Sequence, residues 1–401
     1  MSELERPDSG SGEPTLHGPG RGQPWRNSGI EGLGGGPGIT LMLGGDVMVG
    51  RGIDQVLPHP SAPHLYEPHV DSALGYVALA ERAHGRIPRP VDYGYVWGEA
   101  LEVLDAVRPD VRIVNLETSV TTNEEPEPKG VNYRMHPANV PVLLAARLDC
   151  CVLANNHVLD WGKEGLAETL GTLWQVGIAT AGAGRDLRSA RAPAVLEVAG
   201  RGRVVVFGFG GPDSGISPHW AAGIGEPGVH LLPDYSGRTV DAVAGMVAAV
   251  KRPGDIVVAS IHWGGNWGYE IAAGHRNFAR ALIEGAGVDV VHGHSSHHPK
   301  AIEICRDRPI LYGCGDLLND YEGIQGREEF RGDLALVYFP TLDGRTGRLV
   351  HLELAPFQIR NFRLVRPSTT DLAWLRKTLD RECRRFGHRV TLRGERLVLE
   401  W

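Results

Sequence analysis

The sequence predicts an α/β layered fold, and three observations carry that prediction. Short runs rich in Val, Ile and Leu alternate with segments whose apolar residues recur at three and four positions, the pattern of strands alternating with helices. The runs are apolar throughout rather than at every second residue, as expected of sheets covered on both faces. Hydrophobic residues make up 42% of the 401-residue chain, enough for one large core or two small ones.

Residues 1–38 hold 11 Gly and 5 Pro and almost no apolar pattern, so they read as a disordered arm. The predicted strands are Ile39–Leu43, Val111–Asn115, Cys150–Ala154, Arg203–Phe209, Asp255–Ile261, Val288–His292, Ile310–Gly313 and Leu334–Phe339. The predicted helices are Trp97–Val107, Val140–Arg147, Gly162–Val176, Val240–Val250 and His275–Ala286. Residues 51–95 hold six Pro and four His and are too long for an ordinary connection. They read either as a surface insertion or as a lid over a site on the flanking strand. Residues 39–340 then form one domain carrying this insertion. Residues 341–401 add strands around one helix, Leu372–Phe386, with a last strand Val390–Leu399, packed on the same domain.

The formal charge of −7 argues against a nucleic-acid groove or an anionic membrane surface as the main partner. No apolar run approaches the length of a spanning helix, and the polar N-terminus lacks the apolar core of a secretory signal. The five cysteines form no CxxC pair, and Cys150 and Cys151 lie inside an apolar run. A reduced, cytoplasmic protein is expected.

Polar residues gather where the strands end. The first strand runs into Gly45-Asp46-Val47-Met48-Val49-Gly50-Arg51, and the second into Asn115-Leu116-Glu117. The third runs into Asn155-Asn156-His157 with Asp160 beyond, and another into His262-Trp263-Gly264-Gly265-Asn266. Later strands deliver His292-Gly293-His294-Ser295-Ser296-His297-His298 and Cys314-Gly315-Asp316. The crevice at the carboxyl ends of strands is the usual ligand site of α/β sheets. Seven residues, 292–298, hold four of the 17 histidines, where chance places roughly 0.3. Of these, His294 and His297 are the better candidates for chemistry. His292 still belongs to the strand, and His298, before Pro299, points outward.

Asn156 beside His157 suits a divalent metal with an adjacent acid/base group. Asp160 is placed to orient His157, or else to cap the following helix. Glu117 after a buried strand needs a metal or a cation to compensate it. His262 is either a satisfied core residue or part of the site, with the following Trp-Gly-Gly-Asn as a pocket wall. Arg51, Arg134, Tyr93 and Trp97 are the expected substrate contacts, the two aromatics walling a pocket with Tyr66 and Tyr76.

Taken together, GDVMVGR, NLE, ANNHVLDWG, IHWG, GHSSH and LYGCGDLLND, in this order over roughly residues 40–325, resemble the CapA family of poly-γ-glutamate capsule synthesis proteins. The resemblance implies the calcineurin-like metallophosphatase fold, a two-sheet β-sandwich flanked by helices with its catalytic groups on loops at one edge. Two departures stand out. Phosphatases of this fold open with D-x-H, where this chain has Asp46-Val47-Met48. Their second motif carries a bridging Asp, where this chain has Asn115-Leu116-Glu117. What survives is an oxygen-rich set, Asp46, Glu117 and Asn156, with His262 beside it, which suits Ca²⁺, Mg²⁺ or Mn²⁺ better than Zn²⁺.

The family includes soluble epimerases of lasso-peptide biosynthesis, and the inventory suits that reaction on a peptide substrate. One acid/base pair is His157 with Asp160; the other is His294 or His297 with Asp316. The alternatives are a metallophosphoesterase, with His262, His294 and His297 completing a metal cluster, and a non-catalytic protein that handles polyglutamate.

Overall fold

The computed structural model describes residues 38–324 and 326–401. The N-terminal arm lies outside the described residues, save Gly38, which opens the first strand. Two sheets face each other. In the larger, ten-stranded sheet Gly38–Val47 is central. On one side it runs parallel to Val111–Leu116, followed by Cys150–Val152 and Ala179–Ala181. On the other it pairs antiparallel with Leu334–Asp343, followed by Leu349–Arg360, Arg396–Glu400 and Arg389–Arg393. The second sheet orders Ile302–Cys305, Arg308–Leu311, Val290–His294, Ile256–His262, Gly202–Gly210 and Ala194–Val198. Its four central strands are parallel.

The apolar runs are continuous because each strand is covered on both faces. Leu41, Leu43, Ile113 and Val152 meet Val204, Val206, Val258 and Val290 between the sheets. Their neighbours Met42, Val114 and Cys151 face outward, beneath helices Ala100–Val107 and Gly162–Gln175. On the far side Val205, Phe207 and Val257 lie beneath Gly237–Ala248 and Ala273–Gly285. The result is a two-sheet sandwich flanked by helices. Helix Thr369–Arg384 adds Leu372, Leu375, Leu379 and Cys383 to the core between the sheets.

Several elements differ from expectation. The first strand continues through Gly44 and Gly45, so Asp46 lies within it rather than after it. Strand Val290–His294 likewise reaches His294. The expected single strand Val390–Leu399 is a hairpin, Arg389–Arg393 with Arg396–Glu400, because Gly394 takes a positive φ of 64° and turns the chain. Residues 51–95 are not a loose surface loop. They include helix Leu74–His84, and Ile53, Val56, Tyr76, Val77, Ile87 and Val91 are buried in the core under the larger sheet.

Gly45 sits where the backbone of Gly315 crosses the first strand. A Cβ there would lie 1.8 Å from the Gly315 carbonyl oxygen. The short strand Asp316–Leu318 pairs with the first strand at this point, and Asp46 donates its N–H to the same carbonyl at 3.1 Å. Gly45→Ala is expected to destabilise the fold by about 1–3 kcal/mol, read as a shift in the urea midpoint. An unchanged midpoint would show that the two strands separate freely here.

Candidate metal centre and acid/base site

The functional side chains meet because the strand registers bring them level. In the parallel pair Ile256–His262 and Val290–His294, His262 stands opposite His294. Their Nδ1 atoms lie 2.9 Å apart. A hydrogen-bond chain fixes which nitrogen of His294 carries the proton. The Gly44 carbonyl accepts from His292 Nε2 at 2.9 Å, so the His292 Nδ1 atom accepts from Ser260 Oγ at 3.0 Å. Ser260 Oγ then accepts from His294 Nε2 at 3.0 Å. The Nδ1 atom of neutral His294 is left with a lone pair, aimed at His262 and 3.7 Å from Asp46 Oδ1. His262 is set the same way. Its Nε2 donates to Asn156 Oδ1 at 3.0 Å, which leaves its own Nδ1 lone pair facing that of His294. Two buried nitrogen lone pairs 2.9 Å apart repel unless a cation lies between or beside them.

The carboxylates point the same way. Asp46, His262 and His294 each offer one ligand atom within 4.8 Å of the others. Asp46 accepts from Asn115 Nδ2 at 2.7 Å and from the Ser295 N–H at 3.1 Å, where Ser295 takes a φ of 96° to reach it. Glu117 Oε1 lies 3.9 Å from Nε2 of both His157 and His262. Burial, and then Asp316 nearby, raises Asp46 to about 7. Burial, Asp46 and Asp316 raise Glu117 well above its ordinary value. Burial and neighbouring imidazoles push His262 and His294 well down, so both stay neutral. Carboxylates that resist ionisation beside imidazoles that resist protonation form a donor set that fits a divalent cation. The set is mixed nitrogen and oxygen, not the oxygen-rich set expected, because strand register adds His294 to the group.

Divalent-ion affinity is expected to rise with pH up to about 7 and to level off above it, since Asp46 holds a proton up to that point and must release it. The slope is about ten-fold per pH unit for one released proton. Titration calorimetry with Mn²⁺ between pH 6 and 8.5, in two buffers of different ionisation enthalpy, counts that proton. A flat profile would remove Asp46 from the ligand set.

Two histidine–carboxylate pairs flank this group. His157 Nδ1 lies 2.6 Å from Asp160 Oδ2, which also accepts from the Tyr133 N–H at 2.6 Å. Asp160 Oδ1 accepts from Lys129 Nζ at 2.7 Å. Asp160 therefore orients His157, and Trp161, not Asp160, is the N-cap residue of the following helix. Burial lowers His157 to about 4 against the upward pull of Asp160, so its imidazole is neutral. The second pair is His297 with Asp316, Nδ1 to Oδ1 at 2.9 Å, while His294 sits in the metal group instead. Asn319 Nδ2 holds the other Asp316 oxygen at 2.8 Å, and Asn266 Nδ2 lies 3.0 Å from His297 Nε2. Burial pushes His297 down, but Asp316 outweighs it and its pKa is raised. His157 Nε2 lies 3.9 Å from Glu117 and Asp316 stands level with Asp46 in the strand pairing, so the two pairs border one group.

The expected substrate contacts are engaged with other parts of the protein. Arg51 is buried, with Nη2 and Nε on Asp320 at 2.5 and 3.2 Å and Nη1 on Glu67 and Tyr76. Its charge is spent inside the protein. Trp97 is fully buried and donates Nε1–H to the Val142 carbonyl, so it is a core residue. Tyr93 donates to the Ala138 carbonyl at 3.3 Å. Arg134 lies over the Trp161 ring at 4.0 Å and donates to the Asn123 carbonyl. Tyr76 is buried against Arg51. His298 does not point outward. It is buried among Trp267, Tyr269 and Phe330 and accepts the Gly268 N–H. Two tyrosines outside the expected set join the histidine pairs. Tyr133 stacks on His157 at 3.9 Å, and Tyr321 meets His297 edge-on at 5.4 Å. Tyr321 also lines a cavity of about 320 Å³, together with Trp267, Asn319 and Arg327 among others.

Two facing sheets flanked by helices, with a carboxylate–imidazole group at one edge, define the class: an α/β sandwich with a candidate metal centre, the architecture that the resemblance to the CapA family implies. Within that class the chain belongs to the family described as bacterial capsule synthesis protein PGA_cap, whose profile matches residues 40–321. It is 51% identical over 362 residues to a protein of Mycobacterium tuberculosis named "Probable polyglutamine synthesis accessory protein", covering 90% of this chain and 95% of that one. It is 27% identical over 325 residues to the "PGA biosynthesis protein CapA" of Bacillus subtilis, covering 80% of this chain and 72% of that one. A solved Mycoplasma pneumoniae structure titled as a novel phosphatase aligns with a TM-score of 0.43 at 14% identity, covering 80% of this chain and 94% of that one, a likeness too weak to bear on the fold. Among the described residues no helix is long and apolar enough to cross a membrane.

Proposed function

We propose that this protein is a metal-dependent acid/base enzyme that removes and returns the Cα proton of a residue in a glutamate-rich peptide or polymer, inverting that centre. The observation that supports this reading is the convergence of two histidine–carboxylate pairs on one buried carboxylate–imidazole group. Neutral His157, its Nδ1 held by Asp160, takes the proton at Nε2. His297, its pKa raised by Asp316, returns one from the opposite face. A divalent ion held by Asp46, His262 and His294, with Glu117 and Asn156 adjoining, would supply positive charge for the oxyanion that forms as the proton leaves. Among Ca²⁺, Mg²⁺ and Mn²⁺, the paired imidazoles favour Mn²⁺.

The relatives' names redirect the substrate from a ribosomal lasso-type precursor to a glutamyl chain. Five free thiols support a reducing, cytoplasmic setting, and the net charge of −7 argues against a nucleic-acid or anionic-membrane partner. The test is deuterium exchange. The Mn²⁺-loaded protein is incubated in D₂O with γ- and α-linked glutamyl oligomers, and mass spectrometry follows one-dalton gains localised to Cα. Gains abolished by EDTA support the proposal. Phosphate release from a generic phosphoester without any Cα exchange would overturn it. That second reading, a metallophosphoesterase, is favoured by the two imidazoles in the metal group, since nitrogen donors suit transition ions that activate water.

A further inference from the structure

The two acid/base pairs are joined by a contiguous bridge. Tyr133 receives its backbone hold from Asp160 and stacks on His157. Tyr321 receives its backbone hold from Asn319, at 3.1 Å, and Asn319 in turn holds Asp316. The two phenol oxygens meet at 2.6 Å. Two phenols carry two protons, and one mutual hydrogen bond uses only one of them. Among the described residues neither oxygen makes another hydrogen bond. Burial comes first in raising both phenols, and Arg51 opposes it, so each keeps its proton. Glu117 acts electrostatically on both. Tyr321 lines that cavity, and Tyr133 is almost wholly buried.

A buried hydroxyl proton without an acceptor is costly unless a ligand takes it. We propose that the Tyr133–Tyr321 pair is the hydrogen-bond donor that binds the anionic oxygen of the substrate between the two histidines. One phenol donates to the other, and the second donates its spare proton to a carboxylate, enolate or phosphate-like oxygen lying against the metal group. Arg51, its guanidinium 4.7 Å from the Tyr133 ring centre and 5.6 Å from that of Tyr321, stiffens the pair from behind. For the reaction itself the inference rests on the acid/base reading above, but the donor is testable without it.

The probe is inorganic phosphate, titrated calorimetrically into the Mn²⁺-loaded full chain. Phosphate supplies an anionic oxygen whatever the natural substrate. The double variant Tyr133→Phe/Tyr321→Phe is expected to weaken phosphate binding by about ten-fold or more, the effect of one hydrogen bond to a charged oxygen. Melting temperature and Mn²⁺ affinity are expected to stay at the wild-type values, because the phenyl rings keep the stack on His157. The two single variants then tell which hydroxyl donates, since only its removal costs the full factor. Phosphate binding within two-fold of wild type in the double variant would overturn the inference. So would a wild type that takes up no phosphate, or a loss that tracks a fall in melting temperature. If the phosphate difference stands while the wild type shows no Cα exchange, the proposed reaction falls and the donor remains.

Discussion

His157→Ala is expected to slow Cα-proton exchange by about 10²–10⁴-fold, the range that a positioned general base contributes. Burial keeps this imidazole neutral, and its Nε2 lies 3.9 Å from Glu117 at the edge of the metal group. Removing it leaves Asp46, His262 and His294 in place, so bound Mn²⁺ should stay stoichiometric by elemental analysis. Asp160→Asn separates positioning from chemistry. It keeps the acceptor for the Tyr133 N–H while removing the charge that orients His157. Exchange should fall, and its pH profile should move with it. An alanine variant that exchanges at the wild-type rate would take His157 out of the reaction.

Asp46→Asn is expected to abolish stoichiometric metal binding, and exchange with it, to the level reached with EDTA. The same change should leave the metal-free protein at least as stable as the metal-free wild type. Asp46 is an acid whose pKa in the fold, about 7, lies above its ordinary value of 3.8. Its charge is therefore a cost to the metal-free fold that is absent below about pH 4, grows between pH 4 and 7 and is complete above pH 7. The relief given by the amide should follow that same window. Elemental analysis and thermal melts at pH 5 and 8 read both effects. A variant that keeps one ion per chain, or whose metal-free form melts lower at pH 8 than at pH 5 relative to wild type, would place the ion elsewhere.

The strand ends were legible because each apolar run stops where the polar residues begin, and runs such as Asn155-Asn156-His157 or His292–His298 have no reason to sit in a core. The pairing of His157 with Asp160 is local, three residues apart, and so could be read from spacing. Whether His294 or His297 pairs with Asp316 was left open because the strand was ended two residues early, at His292. With the strand continued, alternation puts His292 and His294 on one face, opposite Ser260 and His262. The rest depends on contacts across the chain. Arg51 finds Asp320 at 269 residues' separation, and Tyr133 finds Tyr321 at 188. No periodicity within one segment reports such a meeting. An arginine in a motif and an aromatic beside it read as a binding face until the fold shows the charge neutralised and the ring turned inward. Trp97 belongs with them, since its indole N–H is satisfied by the Val142 carbonyl, on a separate helix.

The metal group also ties together distant parts of the polypeptide. Asp46 is held by the Ser295 N–H, 249 residues further along, and His292 closes on the Gly44 carbonyl across 248. On the ribosome, the first strand is exposed long before the histidines that complete its site have been made. Ion capture must therefore follow synthesis of the second sheet rather than guide the folding of the first. A chain cut short before His294 would carry Asp46, Glu117, His157 and Asp160 and still be inert.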